Sequence, residues 1–189
     1  MLANNRPVIE AAGFDVTYPG RDNIPDGTLG LRLPSPRNAD QVAQRSAPSV
    51  GQEIAEKCRA DSRALILSEE NMLGRMVHFS AGRFYPAVEA RFDALALGTA
   101  APVLRALLVV RDYAQLYVSS YRKRAEDNLV DPFNDGRSKM MRMDRGWPEI
   151  VAALQARLQP QETVVVEYGH RGGGERRLVA AVGAGAGRR

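Results

Sequence analysis

The sequence predicts an α/β fold in which helices cover both faces of a parallel sheet. Three short apolar runs, each bounded by polar or turn-forming residues, are typical of buried parallel strands: Ala64–Ser68, Leu104–Val110 and Thr163–Tyr168. Helical patterning separates these runs, and no hairpin signal lies between them. Strands that alternate with helices form βαβ units, so we expect a three-layer sandwich around a parallel sheet.

The residues before the first of these strands predict two helices and a long loop. Apolar residues of segment 1–12 recur at helical spacing, and Gly13 is a stop signal. Residues 15–38 are rich in Pro, Gly, Asp and Arg, which is typical of an irregular connection. A second helix is predicted from about Asp40 to Arg59.

Three further helices are predicted between the strands. A proline in the first turn begins both Pro86–Leu97 and Pro148–Leu158. Asp112 follows the strand Leu104–Val110 and is the expected N-cap of a helix from Tyr113 to about Glu126.

Length and composition fit one globular domain and a short tail. The chain has 189 residues, of which 44% are hydrophobic and 25% are charged, and we assign residues 1–168 to a single α/β domain. Residues 169–189 are of low complexity, hold five arginines and one acid, and are predicted to be either a flexible tail or a stretch read in an altered frame. Because the net charge of +4 and the pI of about 9.5 derive from this tail, they give little reason to expect a nucleic-acid partner.

Cysteine, histidine and apolar-run patterns limit the compartment and the chemistry. A single cysteine, Cys58, excludes an internal disulfide and fits a reducing compartment. No apolar run approaches the roughly 20 residues that span a bilayer, and the first residues lack the apolar stretch of a signal peptide. We therefore expect a cytoplasmic protein without a membrane partner. His78 and His170 lack metal-ligand spacing, so no metal site is expected.

The segment VVRDYAQLYVSSYRKR is the most informative for function. Parallel sheets bind ligands beyond the carboxyl ends of their strands, and Arg111 lies at such an end. Ser119 follows eight positions later, two turns into the next helix. If they converge, a guanidinium and a hydroxyl can hold a phosphate, the first as a charged fork and the second as a neutral donor. Alternatively, Arg111 pairs with Asp112 or another acid, and Ser119 bonds to carbonyls of its own helix.

These residues resemble a motif of the sulfotransferases that use 3′-phosphoadenosine-5′-phosphosulfate (PAPS). Arg111, Ser119 and Tyr121, after the strand ALLVV, match the family's 3′-phosphate motif in type and spacing. The segment LILSEENMLG is similar to a strand and turn of bacterial members, and Asp144–Trp147 before a helix resembles the family's later half. The resemblance covers roughly residues 1–168.

The resemblance implies a fold, a cosubstrate and roles for three residues. The fold would be the P-loop-NTPase-like sulfotransferase sandwich, and PAPS would be the cosubstrate, with no metal. Arg111 and Ser119 would bind its 3′-phosphate, and Glu70 would deprotonate a hydroxyl or amine on a small-molecule or carbohydrate acceptor. A solvated turn carboxylate is the alternative for Glu70.

The chain departs from the family at its start. The family opens with a strand and a loop of the type Lys-x-Gly-Thr-Thr, whose amides and lysine hold the 5′-phosphosulfate. That loop would lie before Met1 and occurs nowhere else in the sequence. We expect a shortened copy that lacks its first strand, or a start assigned too late, and little or no transfer activity for these residues.

Two other function classes stay open on the sequence alone. The chain could be a non-catalytic remnant that binds the bisphosphate product weakly or not at all. It could also be a basic interaction protein whose arginine-rich tail, residues 169–189, binds nucleic acid with a steep salt dependence. The acceptor and the oligomeric state have no recognisable code in the sequence.

Overall fold

The described part of the chain forms two compact units. The structure, a computed structural model, describes residues 2–21, 24–37 and 39–168. The first unit comprises the described residues up to Leu73 together with Ala87–Ala101, and the second comprises Gly74–Pro86 and the described residues from Pro102 onward. No helix in these ranges is both long and apolar enough to cross a membrane. The predicted tail, residues 169–189, lies outside the described residues.

The first unit contains a parallel strand pair, a small hairpin and three helices. Its elements are α1 Leu2–Ala11, β1 Phe14–Thr17, β2 Pro19–Arg21, β3 Ile24–Thr28, α2 Ala39–Ala55, β4 Ala64–Leu67 and α3 Val88–Gly98. Strands β1 and β4 pair in parallel, whereas β2 and β3 pair antiparallel. Helices α2 and α3 approach closely at Gly51 and Gly98. Glycine is needed there, because a Cβ atom on Gly51 would lie 2.7 Å from the Gly98 carbonyl oxygen.

The second unit contains a longer parallel strand pair and four short helices. Its elements are the 3₁₀ helix Met76–Ala81, β5 Arg105–Val110, α4 Tyr113–Asp127, α5 Phe133–Met140, α6 Trp147–Leu158 and β6 Glu162–Glu167. Strands β5 and β6 pair in parallel over their whole length, from Arg105 opposite Glu162 to Val110 opposite Glu167. An aromatic cluster forms the core, with Phe79 and Phe84 stacked at 5.1 Å and fully buried.

The parallel pairing and the α/β class predicted from the sequence are confirmed. The prediction of an irregular connection over residues 15–38 is wrong, since parts of three strands lie there. Strand β1 escaped notice because a charged residue, Asp15, is buried inside it. The β2–β3 hairpin depends on Gly27, where a Cβ atom would collide with the backbone of Pro19. Helix α5 was also not predicted.

Candidate functional site

Arg111 lies directly beyond the carboxyl end of β5, in the second unit. The parallel register places Val110 opposite Glu167, so Arg111 and Tyr168 leave the sheet at the same edge. The Tyr168 amide extends the ladder by donating to the Val110 carbonyl at 2.7 Å. As a result, the guanidinium carbon of Arg111 stands 4.6 Å from the centroid of the Tyr168 ring, which is a cation–π contact.

Ser119 reaches Arg111 from the second turn of α4. The Asp112 side chain begins this helix as an N-cap, accepting a hydrogen bond from the Gln115 amide at 3.1 Å. Arg111 Nη1 then donates to Ser119 Oγ at 3.3 Å. The structure therefore brings together the two residues that the sequence assigned to phosphate binding.

The guanidinium of Arg111 retains most of its donors. An arginine has five N–H groups, and Ser119 is the one hydrogen-bond partner of this guanidinium among the described residues. No carboxylate pairs with it in that part of the chain, and Asp112 serves as the helix cap instead. Because Ser119 accepts from Arg111, its own hydroxyl proton is available to a ligand.

The start of α6 fixes the backbone of Arg111. Trp147 donates its indole N–H to the Arg111 carbonyl at 2.8 Å and its amide N–H to the Tyr113 hydroxyl at 2.7 Å. Gly146 leaves room for this hydroxyl, since a Cβ atom at that position would force the Tyr113 side chain to shift. The Asp144–Trp147 motif was visible in the sequence, but its connection to Arg111 was not predicted.

Tyr121, the third residue of the motif, is occupied elsewhere. Its hydroxyl donates to the carbonyl of Asp131 at 2.9 Å, and its ring packs edge-on against Phe133 at 5.2 Å. Among the described residues it makes no hydrogen bond or ring contact with Arg111. The structure thus places two of the three motif residues at one point.

Glu70 lies in the first unit, in the turn that follows β4, and its side chain is exposed. Glu69 closes this turn by accepting from the Asn71 amide at 2.7 Å.

Arg91, on α3, holds this turn from outside by donating to the carbonyls of Asn71 at 2.6 Å and Met72 at 2.8 Å. The third donation of Arg91 goes to Pro34, at 2.6 Å. Burial lowers the pKa of Arg91, and the charge of Glu69 opposes that change.

Arg91 was not identified from the sequence. It lies within a predicted helix, where a single arginine is usually a surface residue, and its three acceptors are backbone carbonyls, which leave no trace in the residue pattern. The turn that carries Glu70 is therefore held by hydrogen bonds from Arg91 that the sequence alone did not indicate.

Metal ligands and known relatives give no further indication of function. Within residues 2–21, 24–37 and 39–168, no group of three or more His, Cys, Asp or Glu side chains is placed to hold a metal ion. His170 lies outside the described residues. No family model, no curated protein and no solved structure matches this chain.

Proposed function

We propose that this chain is a sulfotransferase-like protein that binds the 3′-phosphate of PAPS, or of its bisphosphate product, at Arg111 and Ser119. The observation that carries the proposal is the 3.3 Å contact between Arg111 Nη1 and Ser119 Oγ. It shows a cation and a hydroxyl converging beyond a parallel strand, where α/β proteins bind anionic ligands. The unspent donors of both groups match the acceptor oxygens of a phosphate.

A P-loop-like sandwich is part of the same proposal. It is supported by the two parallel pairs, β1 with β4 and β5 with β6, each considered within its own unit. It is supported further by Arg111 and Glu70, each of which follows the carboxyl end of a strand.

Glu70 is the proposed base for the acceptor. In the transfer step the acceptor oxygen or nitrogen attacks the sulfur, and the bond between sulfur and the phosphate oxygen breaks. The bisphosphate leaves with that electron pair, and the acceptor proton passes to the Glu70 carboxylate. Such in-line transfer depends mainly on positioning and charge neutralisation. Support for this role comes from the exposed carboxylate and from the turn that Arg91 holds in place.

Calorimetry with adenosine 3′,5′-bisphosphate tests the binding proposal. We expect Arg111→Ala to weaken binding about a hundredfold, since a charge-assisted hydrogen bond contributes roughly 1.5–3 kcal/mol and the phosphate also loses its countercharge. Ser119→Ala should weaken binding about fivefold.

Arg105→Ala is the matched control for this titration. Arg105 lies at the opposite end of β5 and donates from Nε to Glu162 at 2.8 Å, so its loss should leave bisphosphate binding unchanged. Absence of binding to the wild type, or full affinity in Arg111→Ala, would contradict the proposal. Salt-dependent binding of DNA that disappears on deletion of residues 169–189 would instead favour a basic interaction protein.

A transfer assay with labelled PAPS tests the role of Glu70. Glu70→Gln should abolish any transfer to hydroxyl or amine acceptors while the bisphosphate affinity stays at its wild-type value. Glu69→Gln is the control, because the amide oxygen can still accept from the Asn71 amide. Where the wild type transfers label, an equal rate in Glu70→Gln would exclude this carboxylate as the base.

A further inference from the structure

Tyr85, in the second unit, has a backbone conformation that bulky residues rarely adopt. Its φ is +47°, in the left-handed region, although it is neither glycine nor asparagine. The residue is nevertheless buried, with a relative exposure of 7%. A strained conformation of this kind persists only where surrounding contacts impose it, and such positions are concentrated at functional sites.

The Asp144–Trp147 motif imposes this conformation. Asp144 accepts a hydrogen bond from the Phe84 amide at 2.8 Å. Arg145 donates to the carbonyl of Phe84 at 2.9 Å and to that of Tyr85 at 3.1 Å. The Phe84 amide and the carbonyls of Phe84 and Tyr85 are therefore all held by two consecutive residues of one motif.

The same motif also fixes Arg111. Trp147 donates to the Arg111 carbonyl at 2.8 Å, and its ring lies 6.0 Å from the ring of Tyr85. A four-residue segment thus sets the position of Tyr85 and of Arg111 at once. Edge-on contacts with Phe79 at 5.1 Å and Phe84 at 4.8 Å leave the Tyr85 ring little freedom to turn away.

The hydroxyl of Tyr85 is a donor without a protein acceptor in the described part of the chain. Buried side-chain oxygens without a partner there are those of Thr17 and Thr99, so the Tyr85 hydroxyl reaches solvent. Burial of the ring raises the pKa of Tyr85 to about 12, and the charge of Arg111 opposes part of that rise. The phenol is therefore protonated near neutral pH, and its ring lies against Trp147, which is bonded to the Arg111 carbonyl.

We propose that Tyr85 is a third ligand of the anion held by Arg111 and Ser119, donating its phenolic O–H to a phosphate oxygen. This inference rests on the proposed function, because it requires an anion at Arg111. A ring that is packed before the ligand arrives loses little conformational entropy on binding, which is the usual advantage of a preorganised donor. The strained backbone and the Asp144–Trp147 clamp then serve to aim one hydroxyl.

Tyr85→Phe tests the inference because it removes one oxygen and keeps the buried ring. We expect adenosine 3′,5′-bisphosphate to bind about tenfold more weakly, as for the loss of one hydrogen bond to a charged group. In phosphorus NMR of the bound ligand, the 3′-phosphate resonance should shift between wild type and variant while the 5′-phosphate resonance stays in place. Tyr121→Phe, which removes a hydroxyl bonded to the Asp131 carbonyl, should change neither affinity nor spectrum.

The outcomes separate this inference from the proposed function. If Arg111→Ala abolishes binding but Tyr85→Phe binds like the wild type, the role of Tyr85 is wrong and the phosphate site stands. A weaker affinity with both phosphate resonances shifted alike would indicate a structural effect of the ring and would also overturn the role. If the wild type does not bind the bisphosphate, both proposals fail.

Discussion

Two arginines lie beside the carboxyl ends of strands, Arg91 beside that of β4 and Arg111 beside that of β5, and they have opposite roles. Arg91, in the first unit, donates from three nitrogens to the backbone carbonyls of Pro34, Asn71 and Met72, at 2.6, 2.6 and 2.8 Å. Arg111, in the second unit, donates to one hydroxyl at 3.3 Å and rests on an aromatic ring. The difference shows how a guanidinium that belongs to the fold is distinguished from one available to a ligand: by the number of donors already in use.

The same difference extends to the strand ends that the two arginines serve. The end of β4 is closed by internal hydrogen bonds, including that of Glu69 with the Asn71 amide. The end of β5 is held at its backbone, through Trp147, while its charged group stays uncommitted. We therefore expect substitutions in the first region to change stability, and those in the second to change binding.

Arg91→Ala should have the largest effect on stability. Removing the guanidinium leaves three carbonyls without their partner, and the bonds to Pro34 and Met72 are partly buried. Buried acceptors that lose a partner cost about 1–3 kcal/mol each. We expect a loss of about 3 kcal/mol in the free energy of unfolding, measured by urea denaturation. Arg111→Ala is the comparison variant and should change stability by less than about 0.5 kcal/mol. Equal losses in the two variants would remove the distinction between the arginines.

Acid should destabilise the first unit through Asp15, in β1. This buried carboxylate accepts from the Arg59 amide at 2.6 Å and from the Ser62 hydroxyl, and pairs with Arg59 Nε at 2.8 Å. Burial raises its pKa, but these partners outweigh burial and hold the pKa below its ordinary value of 3.8. Because the folded-state pKa is the lower one, the stabilisation is complete above pH 3.8 and is lost as the pH falls toward that folded-state pKa.

Asp15→Asn tests this pH dependence. At neutral pH the variant should lose about 1–2 kcal/mol of unfolding free energy, since the amide keeps part of the hydrogen bonding and none of the charge. Below pH 3.8 the difference from wild type should shrink. A difference that stays constant from pH 7 to pH 3 would contradict the assignment of the acid sensitivity to Asp15.

Trp147→Phe should have a moderate effect on stability and binding at the end of β5. It removes the indole donor to the Arg111 carbonyl and keeps an aromatic ring next to Phe84, which now lies 5.0 Å from the Trp147 ring. We expect a stability loss of about 1 kcal/mol, by urea denaturation, and bisphosphate binding weakened severalfold, by calorimetry. Unchanged affinity would show that Arg111 is aimed without help from α6.

The sequence predicted those parts of the site that depend on local geometry. Arg111 and Ser119 are eight residues apart on one strand end and one helix, so their meeting follows from the strand-to-helix turn that Asp112 caps. Trp147 reaches the Arg111 carbonyl from a distant segment of the chain, and the Tyr85 ring, from another, lies 6.0 Å from the Trp147 ring. A single sequence contains no pattern that reports such long-range contacts, and they were not predicted.

The fold was predicted where burial follows apolar composition and missed where it does not. Strand β5 is an almost uniformly apolar run and was identified within one residue of its observed start. Strand β1 was missed because Asp15 is satisfied by partners 44 and 47 residues away, which makes a charged residue acceptable inside a strand. The β2–β3 hairpin was not predicted because a glycine among Pro, Asp and Arg residues is typical of a loop, whereas Gly27 permits the close approach of two strands.

Asp112→Asn should have the smallest effect on stability. It is the most selective test of the charge next to Arg111, at the end of β5. Asparagine caps a helix about as well as aspartate, so the hydrogen bond to the Gln115 amide should persist and stability should change by less than about 0.5 kcal/mol. Removing a carboxylate next to Arg111 makes the anion site more positive, so bisphosphate affinity should rise about two- to threefold at low salt. In about 1 M salt, where the Debye length is roughly 3 Å, that gain should vanish.

Asp112→Ala is the control for this test, because it makes the same change in charge and removes the cap. It should cost about 1 kcal/mol of stability and give the same salt-sensitive gain in affinity. A gain shared by both variants depends on charge, whereas a gain confined to one depends on the local geometry of the helix start. If both variants bind the bisphosphate more weakly than the wild type, the carboxylate supports the anion site instead of opposing it, and the description of Arg111 as an uncommitted cation is wrong.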